Sequence, residues 1–247
     1  GRMSTPEPVV MLPGTLCTGE VFASQAGALR AAGHAVHVLP LGSDASVDAH
    51  AAAVLSIAPE RFALVGFSQG AITALAVLRR APARVSRAAF LALNPGAPTD
   101  AQREVWSSWL AEAHSEAGRR RIGEALSANV SPENQNDTRL RERIIEMAVA
   151  TPGEAFEGQL AALASRPDAW QTLDGLNLPC ELAVGRDDPV TPVDLHERVL
   201  GHLPQGTTLS IFNQAGHYAP LERPNEVTGW LQSWLAGKTP APDAEVG

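Results

Sequence analysis

The sequence is short of cysteine, of basic residues and of long apolar runs, and each shortage removes a class of protein. Its two cysteines, Cys17 and Cys180, stand far apart and form no C-x-x-C, so no disulfide framework or cysteine metal site is expected to hold the chain together. That usage suits a reducing compartment, and a cytoplasmic location is expected. Lys and Arg number 19 against 27 Asp and Glu, a net charge of −8. Without a basic patch, neither nucleic acid nor an anionic membrane surface is expected as a partner. No window reaches the ~18 uncharged apolar residues of a membrane span, and no basic segment followed by an apolar stretch opens the chain as an export signal would. Gly1 and Arg2, ahead of Met3, look like a cloning scar, and residues 237–247, rich in Pro, Ala and acid, are expected to form a flexible tail.

At 247 residues the chain is long enough to bury about 70 to 75% of its unfolded surface, so its core needs no staple. Short apolar runs at 8–12, 35–39, 62–67, 88–93, 180–184 and 208–212 alternate with amphipathic stretches at 21–32, 48–57, 71–80, 192–203 and 225–235. Runs of that length ending at Gly, Pro or Asn read as buried strands, and strands alternating with helices imply an open, mainly parallel α/β sheet of about six strands. The alternation breaks once. Between Pro95 and Pro179 only helical periodicity is visible, over 100–117, 120–128, 138–150 and 153–165. The expected organisation is therefore a core formed by 3–95 and 180–236, with a helical lid over 96–179 inserted after the fourth strand. Trp106, Trp109, Leu110 and Ala113 share one face of the first insertion helix; core packing and a pocket wall both account for that stripe.

Three segments carry chemistry. The strand at 62–67 runs into Gly66-Phe67-Ser68-Gln69-Gly70 and then into a helix, the strand–turn–helix context in which G-x-S-x-G exposes a serine. A serine hydroxyl needs a base and an orienting acid to become a nucleophile. Of seven histidines, His217 stands apart because it follows Gln214-Ala215-Gly216 in the loop leaving the last strand, at the sheet edge where such folds bind ligands. The strand at 180–184 ends in Gly185-Arg186-Asp187-Asp188-Pro189, and Pro189 restrains the backbone of Asp188 while Asp187 is freer. Asp188 is the expected acid.

The elbow at Gly66–Gly70, the run Gly185-x-x-Asp188-x-x-x-Pro192 and the run Gly216-His217-Tyr218-Ala219-Pro220-Leu221-Glu222-Arg223-Pro224 together resemble the α/β-hydrolase superfamily over about residues 9–235. The last run is similar to the segment after the catalytic histidine in small esterases and enol-lactonases. The resemblance implies Ser68 as nucleophile, His217 as base and Asp188 as orienting acid, in the family's chain order. It also implies a backbone oxyanion hole at Thr15 and Gln69, with no cofactor and no metal. The chain departs from the pattern where Pro13-Gly14 replaces the usual His-Gly, where the opening hairpin is missing, and where the loop after the second strand lacks the usual Asp-x-x-Gly-x-Gly run. The expected activity is hydrolysis of a carboxylic ester, or of a related lactone or thioester. C–C bond hydrolysis, lyase or cyclase chemistry on the same triad stays open, as does an inactive ligand-binding module. Trp106, Trp109, Met147 and Phe156 in the insertion, with Leu16, Phe67 and Tyr218 beside the three motifs, are the expected walls of a pocket for an apolar small-molecule substrate.

Overall fold

A computed structural model describes residues 5–238. The tail expected over 237–247 therefore lies outside the described residues from 239 onward. Six strands, β1 (Val9–Leu12), β2 (Val36–Val38), β3 (Phe62–Phe67), β4 (Val85–Leu91), β5 (Cys180–Gly185) and β6 (Leu209–Phe212), form one parallel sheet in the order β2-β1-β3-β4-β5-β6. The crossovers carry α1 (Ala23–Ala31), α2 (Val47–Ile57) and α3 (Gln69–Arg80). Between β4 and β5 come α4 (Asp100–Leu110), α5 (Glu116–Ser127), α6 (Thr138–Ala150), α7 (Gly153–Ser165) and the short α8 (Trp170–Asp174). The chain continues through α9 (Val193–Leu200), α10 (Ala219–Glu222) and α11 (Pro224–Leu235).

Successive strand residues point to opposite faces, and the apolar runs serve both. Val9, Met11, Val65, Leu91 and Ala183 join one core, beneath α1 and α11. Val10, Leu12, Leu64, Phe90 and Leu182 join the other, beneath α2, α3 and α9. The register keeps each face intact: Met11 pairs with Val65 and Phe90 with Leu182. A third, smaller cluster of Leu16, Ala113, Ile122, Ala148, Phe156 and Leu160 belongs to the insertion.

Expected boundaries moved most at the fourth strand and in the insertion. The fourth strand begins at Val85 rather than 88, because Ser86 and Arg87, polar in sequence, sit at the sheet's rim where both reach the Glu7 carboxylate. The break expected between the helices at 100–117 and 120–128 falls earlier. α4 stops at Leu110, and Ser115, in an extended conformation, caps α5 by accepting from Gly118 N–H. Of the stripe predicted on that helix, Leu110 is 45% exposed and Ala113 lies in the turn beyond it. α4 buries none of its own residues, whereas α6 sends Leu140, Ile144 and Met147 into the core shared with α1 and α11.

Candidate active site

The carboxyl edge of the sheet collects the three motifs. β3 passes directly into α3 through Ser68, whose backbone is strained at φ 56 and ψ −118. Two glycines make that turn possible. A Cβ on Gly66 would stand 2.5 Å from Gly70 O, and one on Gly70 would stand 2.0 Å from Leu12 O, so strand, turn and helix meet in space no side chain could share. Ser68 N–H donates to Leu91 O at 2.9 Å, which pins the tip to β4.

His217 lies in the loop between β6 and α10. Its N–H donates to Asn129 O at 2.7 Å. The loop around it is held by the Glu222 carboxylate, which accepts from the N–H groups of Gly216, Tyr218 and Ser131 and from Asn134 Nδ2. Burial pushes that carboxyl up, and the four donors oppose the shift. Ser68 Oγ–H donates to His217 Nε2 at 3.0 Å, and His217 Nδ1–H donates to Asp188 Oδ2 at 2.9 Å. The carboxylate next to Nδ1 fixes the tautomer, leaving Nε2 as acceptor.

Asp188 is 3% exposed. Its Oδ1 accepts from Val190 N–H and Thr191 N–H, and its Oδ2 also accepts from Thr191 Oγ1. Burial alone would raise its pKa, but the His217 charge and the hydrogen bonds from His217 and Thr191 outweigh burial and hold the carboxyl below the usual range. Asp187 is exposed. A hydroxyl, an imidazole and a buried carboxylate so aligned can take the serine proton as a bond forms at Oγ.

Beside Ser68, the loop after β1 presents Thr15. Neither the Thr15 nor the Gln69 backbone N–H has a hydrogen-bond partner among the described residues. The same two residues are joined through their side chains, Thr15 Oγ1–H donating to Gln69 Oε1 at 2.6 Å. Gln159, fully buried on α7, braces both. It accepts from Leu16 N–H through Oε1 and from Gln69 Nε2 through its carbonyl, and it donates from Nε2 to Leu41 O. Leu16 thereby holds φ +53 and packs away from the serine, against the insertion. The insertion is thus fastened to the loop that carries Thr15, a link with no motif behind it in the sequence.

A cavity of about 130 Å³ opens onto Ser68. An apolar cavity of about 150 Å³ holds one benzene ring, so this one encloses a group of roughly five or six non-hydrogen atoms. Of the residues singled out in the sequence as pocket walls, Phe67, Trp106, Trp109 and Tyr218 line it. Leu16, Met147 and Phe156 do not. Leu16 and Phe156 pack in the insertion's own cluster and Met147 in the core shared with α1 and α11, because their apolar bulk is consumed in joining the helices. Residues not singled out in the sequence take their places, among them Leu126, Asn94, Gln102 and Arg166. Cys17 also lines the cavity, but burial pushes its thiol up to about 12, so it stays protonated and does not compete with the serine. Among the described residues no group of three or more His, Cys, Asp or Glu side chains is placed to hold a metal ion, and no helix is long and apolar enough to cross a membrane.

A family model described as the Alpha/beta hydrolase family matches residues 9–229. Solved structures share the fold at low identity. An esterase from Thermogutta terrifontis, solved with malate bound, superimposes with a TM-score of 0.84 at 22% identity over 95% of this chain and 91% of its own. An enol-lactonase from Burkholderia xenovorans LB400 gives 0.79 at 18% over 93% and 92%. A putative non-heme bromoperoxidase from Mycobacterium tuberculosis gives 0.74 at 24% over 95% and 94%. No curated protein matches the sequence.

Proposed function

The chain belongs to the alpha/beta hydrolase family, and from that premise we propose that it is a serine hydrolase cleaving a small carboxylic ester or lactone through an acyl-enzyme. One observation carries the reading: the hydrogen-bonded series Ser68–His217–Asp188 ends beside two unpartnered backbone amides. Ser68 Oγ attacks the carbonyl carbon while His217 Nε2 takes its proton. Asp188 holds the imidazole in the accepting tautomer and stabilises the imidazolium that forms. The N–H groups of Thr15 and Gln69 meet the oxygen as it gains charge. His217 then gives the proton to the leaving alcohol, and water repeats the sequence on the acyl-enzyme to release the acid. No step calls for a cofactor. The esterase and enol-lactonase among the structural neighbours support an ester or lactone as the bond attacked. A reducing, cytoplasmic setting belongs to the same proposal and is supported by two free, buried cysteines.

The test is hydrolysis of 4-nitrophenyl acetate by the wild-type protein and by Ser68→Ala. A loss of at least a thousandfold in turnover with the fold intact is expected, and full activity in Ser68→Ala would overturn the mechanism.

A further inference from the structure

The cavity beside Ser68 contains one charged side chain, and nothing in the described chain neutralises it. Arg166 follows α7 and is 5% exposed. Its Nε–H donates to Gly96 O at 3.0 Å and its Nη1–H to Leu163 O at 3.2 Å. Its Cζ lies 5.4 Å from the centre of the Trp106 ring. These partners are neutral. Among the described residues no carboxylate comes within ion-pair distance of Arg166, and Nη2 makes no hydrogen bond. Burial, with repulsion from Arg103, pushes the guanidinium down to about 10, which leaves it a cation at neutral pH. A buried cation without a counter-charge is costly to keep.

The surrounding groups have the same polarity. Gln102 Oε1 accepts from Thr99 N–H and Asn94 Oδ1 accepts from Gly96 N–H, so the free edge of each amide is its NH2 group. Both residues line the cavity with Arg166, and no Asp or Glu does, in a chain whose net charge is −8. One cation and two amide donors make a site for an anion, and a planar guanidinium matches a carboxylate.

We propose that the substrate is a short ester or lactone carrying a second, free carboxylate, which pairs with Arg166 while the scissile carbonyl lies against Ser68. This rests on the hydrolase reading and narrows it: the pocket expected to be apolar selects a charged acid of few carbons, and the 130 Å³ cavity limits its length.

Two esters of similar length test it on the full chain: mono-4-nitrophenyl glutarate, with a free carboxylate, and 4-nitrophenyl butyrate, without one. The readout is the ratio of their kcat/KM values. The wild type is expected to favour the glutarate ester at least tenfold, and Arg166→Gln to lower that ratio tenfold or more, with Arg166→Lys between. A wild-type ratio at or below one, or a ratio unchanged in Arg166→Gln, would overturn the proposal. A purely structural Arg166 would depress both esters together. Because the Arg166 variants lose two backbone contacts, glutarate binding to Ser68→Ala provides a second measure. Millimolar glutarate is expected to raise Tm, and the neutral diamide of the same acid is not; equal effects of the two would refute the anion site. Hydrolysis of butyrate without an anionic preference defeats this proposal alone. No hydrolysis of either ester, with glutarate still raising Tm, defeats the hydrolase reading and supports the anion site.

Discussion

Replacing the Asp188 carboxylate by an amide, in Asp188→Asn, is expected to stop turnover while leaving the protein folded, and the hydrogen bonds around it say why. Oδ1 accepts from two backbone N–H groups, so the oxygen of the introduced amide has to occupy that side. The NH2 group then takes the place of Oδ2, facing His217 Nδ1 and Thr191 Oγ1. Thr191 can rotate its hydroxyl to accept. His217 cannot keep its Nδ1 proton against another donor, so the proton moves to Nε2, the nitrogen that must accept from Ser68. The stability cost is one exchanged buried hydrogen bond and a lost charge, about 1–3 kcal/mol. The catalytic cost is the wrong tautomer, about 10⁴-fold in turnover, or roughly 5 kcal/mol of barrier. Hydrolysis of 4-nitrophenyl acetate, read with Tm and with the rate of fluorophosphonate labelling, measures both. Asp187→Asn, at the exposed neighbour, is expected to stay within about twofold of wild type. Turnover by Asp188→Asn above a tenth of wild type in a folded protein, or a larger loss in Asp187→Asn, would refute the reasoning.

Three further outcomes follow from the bracing groups. Glu222→Gln places an amide NH2 against N–H donors around the His217 loop and is expected to cost about 2–4 kcal/mol by urea unfolding; an unchanged midpoint would contradict the assigned role. Gln159→Leu strands Leu16 N–H and Leu41 O, so kcat is expected to fall about tenfold with KM changing less than threefold, as the Thr15 loop loosens; equal changes in both would argue against positioning. His196 is fully buried, its Nε2 accepting from Leu93 N–H and its Nδ1–H donating to Pro192 O, and burial pushes its pKa down. The unfolded chain therefore binds more protons below about pH 6.5, and stability present above that pH is lost as pH falls through it, by at most about 1.4 kcal/mol per pH unit from this residue. His196→Asn is expected to flatten the slope between pH 6.5 and 5, measured by urea unfolding at each pH.

Legibility in the sequence followed the range of the interaction. Period and turn residues are local, and they placed all six strands and the five core helices within three residues, together with the insertion after β4. The elbow was legible as a strand–turn–helix pattern in which Gly66 answers a steric demand from Gly70 and Ala71 close by in the chain, whereas the demand on Gly70 comes from Leu12 on β1 and is not local. The choice of Asp188 over Asp187 rested on Pro189, again a local constraint, and Asp188 is the aspartate that meets His217. The α4–α5 boundary was expected some residues too late, because apolar spacing runs on past Leu110 and only the Ser115 cap marks the break. The cavity walls were harder. Met147 and Phe156 have the composition of a pocket lining but serve packing, and composition does not tell which face of an insertion helix turns towards the sheet. Gln159 reaches Leu16 across 143 residues and Arg166 reaches Gly96 across 70, each through a single hydrogen bond, and no periodicity records either.

The most direct test of the hydrolase mechanism is the site of covalent capture. Treated with a fluorophosphonate and measured by intact mass and peptide mapping, the protein is expected to gain one adduct per chain. The adduct should lie on Ser68, be absent from Ser68→Ala, and form at least a hundredfold more slowly in His217→Ala. No adduct on a folded protein, or an adduct on another residue, would contradict a mechanism centred on Ser68.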